Sequence, residues 1–119
     1  MPPSGMPKNF MLAWLLVLLQ HGDAHGYEIA RLLRDRFAME TEPSTLYHAL
    51  RRLARDGAIA SCWNPSERGP ARRAYHLTTP GRALLDEWKT TLEQYRVCLK
   101  MFSDLYVATD EEIILPNTA

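Results

Sequence analysis

The chain has 119 residues, 46% hydrophobic and 24% charged, with fourteen basic side chains against fourteen acidic ones. This is the composition of one globular domain, long enough to bury a core without disulfides or a structural metal and too short for a multi-domain enzyme. The zero net charge is unevenly spread: residues 1–82 hold eleven basic and seven acidic groups, net +4, and residues 83–119 hold three and seven, net −4. That is the pattern of a basic, nucleic-acid-facing body with an acidic element attached, although ordinary scatter can give the same totals.

Residues 1–9 contain three prolines, a glycine and a serine and are expected to form a disordered arm. The apolar run Phe10 to Leu19 is ten residues, about half of what a membrane crossing needs, and Gln20-His21-Gly22-Asp23 follows it in place of a secretory cleavage site. It is read as a helix over about Asn9–Gln20, packed on several sides, with no membrane partner. Two cysteines, Cys62 and Cys98, lack zinc or redox-motif spacing and fit a reducing cytoplasm; they are read as inert buried thiols or as a redox switch. In the turn that follows, His21, Asp23 and His25 lack a third strong metal ligand, so it is taken as structural, with no metal and no cofactor. The sequence carries no nucleophilic triad, paired-carboxylate signature or phosphate-binding glycine loop, and so does not read as an enzyme.

Helix 2, about Tyr27–Phe37, places Ile29, Leu32, Leu33 and Phe37 on one face. Helix 3 opens near Thr41-Glu42-Pro43 and closes at Gly57. At 100° per residue its Leu46, Ala49, Leu50 and Leu53 face inward, while Ser44, Thr45, Tyr47, His48, Arg51, Arg52 and Arg55 fill an outer arc free of acids. Such an arc suits a phosphate-lined groove, because guanidinium forks match phosphates and guanine edges, and a helix N-terminus adds free amides. Simple capping also accounts for Ser44 and Thr45, and a solvated face accounts for the arginines.

Ala58–Trp63 and Arg73–Thr78 read as two strands joined by a loop over 64–72, with Arg68, Arg72 and Arg73 at or near its tip. Helix, turn, helix and then a basic hairpin is the order of a winged helix-turn-helix, spanning residues 10–79 of a mainly α chain. From Thr78 or Thr79 as cap, a long helix over 80–108 carries Leu85, Trp88, Leu92, Tyr95, Leu99, Phe102 and Tyr106 in strict 3,4 alternation. At about 40 Å it overhangs a domain of this size, so its stripe is expected to pair two copies as a homodimer. Residues 109–119 form an acidic tail expected to be flexible.

The segments His25-Gly26-Tyr27-Glu28-Ile29, Ser44-Thr45-Leu46-Tyr47-His48-Ala49-Leu50-Arg51-Arg52-Leu53 with Asp56-Gly57, and Gly69-Pro70-Ala71-Arg72-Arg73-Ala74-Tyr75-His76-Leu77-Thr78 with Gly81 stand in an order and spacing that resembles the PadR family of bacterial winged-helix transcriptional regulators. The single long C-terminal helix resembles the family's compact subgroup. The resemblance implies a homodimer on double-stranded DNA, recognition helices in major grooves, wings against the backbone or minor groove, and repression relieved by a signal. It implies a phosphate contact for Tyr27, with partial burial as a core tyrosine the alternative. Trp88 and Tyr95 are read first as dimer packing; the resemblance also implies, as the alternative, a flat aromatic effector held between the dimer halves by these two, with Trp14 helping. Ser44 and His48 stand where the family often has glycine and proline, so no base preference transfers to His48. A different class of function, an adaptor whose arginine face meets an acidic protein, fits the same winged-helix dimer.

Overall fold

The structure, a computed structural model, describes residues 9–64 and 72–109. The chain divides into two compact units, Met1–Asp86 and Glu87–Ala119, with the boundary inside its last helix. The elements run α1 (Phe10–Gln20), β1 (Ala24–His25), α2 (Gly26–Phe37), α3 (Pro43–Arg55), β2 (Ile59–Asn64), β3 (Arg72–Leu77) and α4 (Thr79–Val107). The arm over 1–8, the hairpin loop over 65–71 with Arg68, and the tail over 110–119 lie outside the described residues.

In the first unit, α1 is built from strong helix formers and buries Leu12, Ala13, Leu15, Leu16 and Leu19 against α3 and β3. Ile29 and Leu33 of α2 are fully buried. Leu32 and Phe37, expected on the same inward face, are 40% and 45% exposed. Helical geometry explains the difference: these two flank the narrow line of Ile29 and Leu33, and Phe37 packs obliquely on the Trp14 ring at 5.1 Å instead. Leu46, Ala49, Leu50 and Leu53 of α3 are buried, as their periodicity requires.

Two helix ends shape the first unit. α3 closes with the Ala58 N–H on the Leu53 carbonyl (2.9 Å) and the Gly57 N–H on that of Ala54 (3.1 Å), the double bond of a Schellman turn. α2 closes differently: the Ala38 and Met39 N–H groups both reach the Leu33 carbonyl, Met39 at 2.8 Å, and the turning residue is Ala38 at φ 53°. A left-handed alanine is strained, so Ala38→Gly is expected to raise stability by about 0.5–1 kcal/mol, read as a rise of a few degrees in the thermal midpoint.

The sheet order is β1-β3-β2, all antiparallel, with β3 central. The hairpin register pairs Trp63 with Arg73 and Ser61 with Tyr75, and β1 adds Ala24 opposite Tyr75 and His25 opposite Ala74. Sequence periodicity misses β1, which has only two residues. Thr78 then ties the sheet to α4: its hydroxyl donates between the carbonyls of Gly57 (2.6 Å) and Ala58 (2.9 Å) and accepts the Gly81 N–H at 3.0 Å, capping the helix. Leu85, placed on the long-helix stripe by its spacing, is buried within this first unit.

The second unit is the remainder of α4. Tyr95, Leu99, Phe102 and Tyr106 of the stripe are exposed, and Trp88 and Leu92 partly so. Val97, Met101 and Leu105, at i, i+4 and i+8, form a second exposed apolar line that the stripe omits. The polar side carries Lys100 on Asp104 (2.8 Å) and Arg96 on Glu93. The guanidinium's hydrogen bond and charge hold the Glu93 carboxyl below its usual range.

Candidate nucleic-acid interface

All seven outer-arc residues of α3 are exposed, and no acidic side chain shares the arc. The three arginines differ in their surroundings. Arg51 makes no ion pair with a described residue, Arg55 lies 3.5 Å from the Asp56 carboxylate, and Arg52 donates to the Asn9 side-chain oxygen at 3.0 Å. The last contact joins the recognition face to the residue that precedes α1 and caps it without a side-chain bond. Arg52 therefore enters any complex with one donor already committed and the rest of its fork open.

A groove of about 630 Å³ runs between the start of α1 and α3, with Phe10, Trp14 and Met39 on its apolar side and Ser44, His48 and Arg52 on its polar side. Trp14 Nε1 is buried and has no hydrogen-bond partner, the one such side-chain atom among the described residues. Trp88 and Tyr95, grouped with Trp14 in the effector reading, are two helical turns apart on α4.

A second, smaller hollow of about 280 Å³ draws together residues distant in sequence: His25, Tyr27, Tyr47, Arg73 and Tyr75. Tyr27 and Tyr47 are 45% and 41% exposed, so Tyr27 is not a core tyrosine, while Tyr75 is buried. Gly26 makes this junction feasible. A Cβ there would lie 2.7 Å from the Tyr47 ring and 2.9 Å from its hydroxyl, so any larger residue would push the exposed end of Tyr47 out of its place against the start of α2. β1 builds the other wall: the His25 ring stacks on Tyr27 at 5.7 Å, and its Nδ1, facing a carbonyl and hence carrying the proton, donates to the Arg73 oxygen at 3.1 Å. The Glu28 carboxylate accepts the His25 N–H at 2.9 Å and fixes the start of α2. Periodicity and motif reading single out Tyr27, Tyr47 and Arg73 separately. Neither one shows that they share a hollow, nor that His25 supports it.

Of the wing residues, Arg73 is exposed, and its guanidinium carbon sits 4.9 Å above the Trp63 ring. The Arg72 side chain and all of Arg68 lie outside the described residues. Cys62 and Cys98 are both exposed, contrary to the buried-thiol expectation, because β2 turns Cys62 outward near the hairpin loop and Cys98 lies on the open helix. No described helix is long and apolar enough to cross a membrane.

A reading head with a basic helical arc and a basic wing defines a winged helix-turn-helix, and the comparisons place it within a family. Residues 15–87 match the Transcriptional regulator PadR-like family, and the chain belongs to it. The chain is 37% identical over 82 residues, 66% of its length, to Transcriptional regulator Rv3488 of Mycobacterium tuberculosis, of which it covers 75%. It resembles the PadR family transcription regulator of Clostridium difficile R20291, at a TM-score of 0.71 and 26% identity, covering 78% of this chain and 97% of that one. It also shares the fold of Bacillus subtilis PadR, solved in complex with operator DNA, at a TM-score of 0.62 and 19% identity, covering 92% of this chain and 52% of that one. The chain is thus a transcriptional regulator and not an enzyme.

Proposed function

We propose that the protein is a homodimeric repressor that reads an inverted-repeat operator with α3 and is released by a flat aromatic effector. The observation that carries this reading is the acid-free outer arc of α3, exposed along its whole length. Arg51, Arg52 and Arg55 supply phosphate or guanine contacts, Ser44 and Thr45 add hydroxyls at the helix N-terminus, and His48 stands among them on the reading side. Tyr27, Tyr47 and Arg73 line a hollow at the junction of head and wing that suits a backbone phosphate, and Arg68 and Arg72 add positive charge to the sequence of the same hairpin. Two heads on a dimer meet major grooves about 10 bp apart.

The exposed Tyr95, Leu99, Phe102 and Tyr106 support pairing through α4, since an apolar stripe of this length left in water marks an interface. Changing Leu99 and Phe102 together to Glu is expected to give a monomer by light scattering and to weaken operator binding at least about tenfold, because the two half-sites then bind independently. A dimer of unchanged mass would remove α4 from the interface. Trp14, whose buried Nε1–H has no partner among the described residues, lines the groove with Phe10, and this supports an aromatic effector. Trp88 and Tyr95 are the α4 aromatics offered to the same kind of ligand.

The test is gel retardation of a duplex from the chain's own upstream region, with a scrambled duplex and the Arg51→Ala, Arg52→Ala double variant alongside at fixed salt. Sequence-dependent, mutant-sensitive retardation is expected. A folded dimer that retards nothing at low salt would refute the DNA reading and favour an acidic protein partner. A flat aromatic dye that quenches tryptophan emission while freeing the duplex supports the effector; a dye that leaves both unchanged counts against it.

A further inference from the structure

Arg73 differs from the arginines that the structure pairs with acidic side chains. Arg34, Arg55 and Arg96 sit beside the carboxylates of Asp35, Asp56 and Glu93, so each has a neighbouring negative charge. Arg73 makes no ion pair with a described residue; its guanidinium lies 4.9 Å over the face of Trp63. The two are directly opposed in the β2–β3 ladder, so their approach follows from the register. Trp63 is nevertheless 62% exposed, a large aromatic surface kept in water beside the wing. The strand below is fixed as well, since His25 Nδ1 donates to the Arg73 carbonyl.

An aromatic prop and a carboxylate prop have different consequences. Both restrict a flexible side chain, but a carboxylate neutralises the guanidinium and occupies its N–H fork, whereas a ring face holds the cation by its quadrupole and leaves charge and donors available. On the reading that the wing meets DNA, we propose that Trp63 is a positioning residue: it holds the guanidinium of Arg73, a residue lining the Tyr27 and Tyr47 hollow, for a DNA phosphate, with no carboxylate of a described residue paired to it. The rotamer freedom of a long cation is thereby restricted before binding, so less remains to be given up in the complex.

The test is fluorescence anisotropy of a labelled operator duplex with the full chain across a salt series, for wild type, Arg73→Ala, Trp63→Leu, Trp63→Tyr and the Trp63→Leu, Arg73→Ala pair. Arg73→Ala is expected to weaken binding and to lower the log–log salt slope by about 0.9 for each phosphate that is no longer neutralised. Trp63→Leu should weaken binding about three- to tenfold for the dimer and lower the slope in the same direction, Trp63→Tyr should restore most of both, and the pair should be no weaker than Arg73→Ala alone. Unchanged thermal midpoints, expected for so exposed a ring, separate positioning from folding. An equal loss from Trp63→Leu with and without Arg73 would make Trp63 a DNA-touching residue in its own right and overturn the proposal, as would a Trp63→Leu protein that binds like wild type. If Arg73→Ala binds normally while the Arg51, Arg52 double variant does not, the positioning role falls and the DNA reading stands. If neither variant alters binding, both fall.

Discussion

Replacing Arg51 and Arg52 together by alanine is expected to lower operator affinity about a thousandfold while leaving the fold intact. The proposed dimer would lose four guanidiniums, and at about 1 kcal/mol for each, the low end for an arginine on a guanine edge, the loss is about 4 kcal/mol. Both side chains are exposed, so truncation opens no cavity. The two single variants should not be equivalent. Arg52→Ala also removes the bond to the Asn9 oxygen that ties α3 to the start of α1, whereas Arg51 has no such tie. Arg52→Ala should therefore show a small drop in thermal midpoint that Arg51→Ala lacks. Isotherms at fixed salt and melting curves on the same samples check both statements; equal affinity of double variant and wild type would take α3 out of the interface.

The second large effect is on stability. Gly81 lies at the start of α4, where an added Cβ would stand 1.8 Å from the Ala58 carbonyl oxygen and 2.8 Å from its carbon. Neither atom can rotate away, because the obstacle is backbone. The same oxygen accepts the Thr78 N–H at 3.2 Å and the Thr78 hydroxyl at 2.9 Å. Gly81→Ala must move α4 off the end of β2 and break this arrangement, so overpacking and broken hydrogen bonds together cost about 3–5 kcal/mol. Against a total of about 5–15 kcal/mol for a domain, that removes a large share of its stability. Thermal or urea unfolding measures it, and a loss below about 1 kcal/mol would contradict the close approach.

How much of the molecule is legible in its sequence depends on the length of each signal. α3 has 13 residues with a clean 3.6-residue period, and both its buried line and its outer arc are where the spacing puts them. The Thr78 cap and the hairpin are readable for the same reason, each having a local chemical signature. β1 is not: two residues carry no periodicity, and its pairing with β3 depends on residues about fifty positions away. That short strand hides the hollow, because His25 reads as part of a helix break until β1 sets it against Arg73. The importance of Gly26 is likewise invisible, since it lies in the approach of the Tyr47 ring and not in any local turn. On α4 the 3,4 stripe is clear, but it absorbs Leu85, which the first unit buries, and passes over Val97, Met101 and Leu105, whose spacing of four forms a second line.

The proposed neutralisation of DNA phosphates by a basic surface on α3 and the wing governs operator binding. Its most direct test is the salt dependence of wild-type binding to the upstream duplex between about 50 and 200 mM monovalent salt. With about six to ten phosphates neutralised per dimer, affinity should fall about 10³- to 10⁵-fold across that range on a straight log–log line. An affinity that stays flat over the same range would contradict an arginine-built DNA interface.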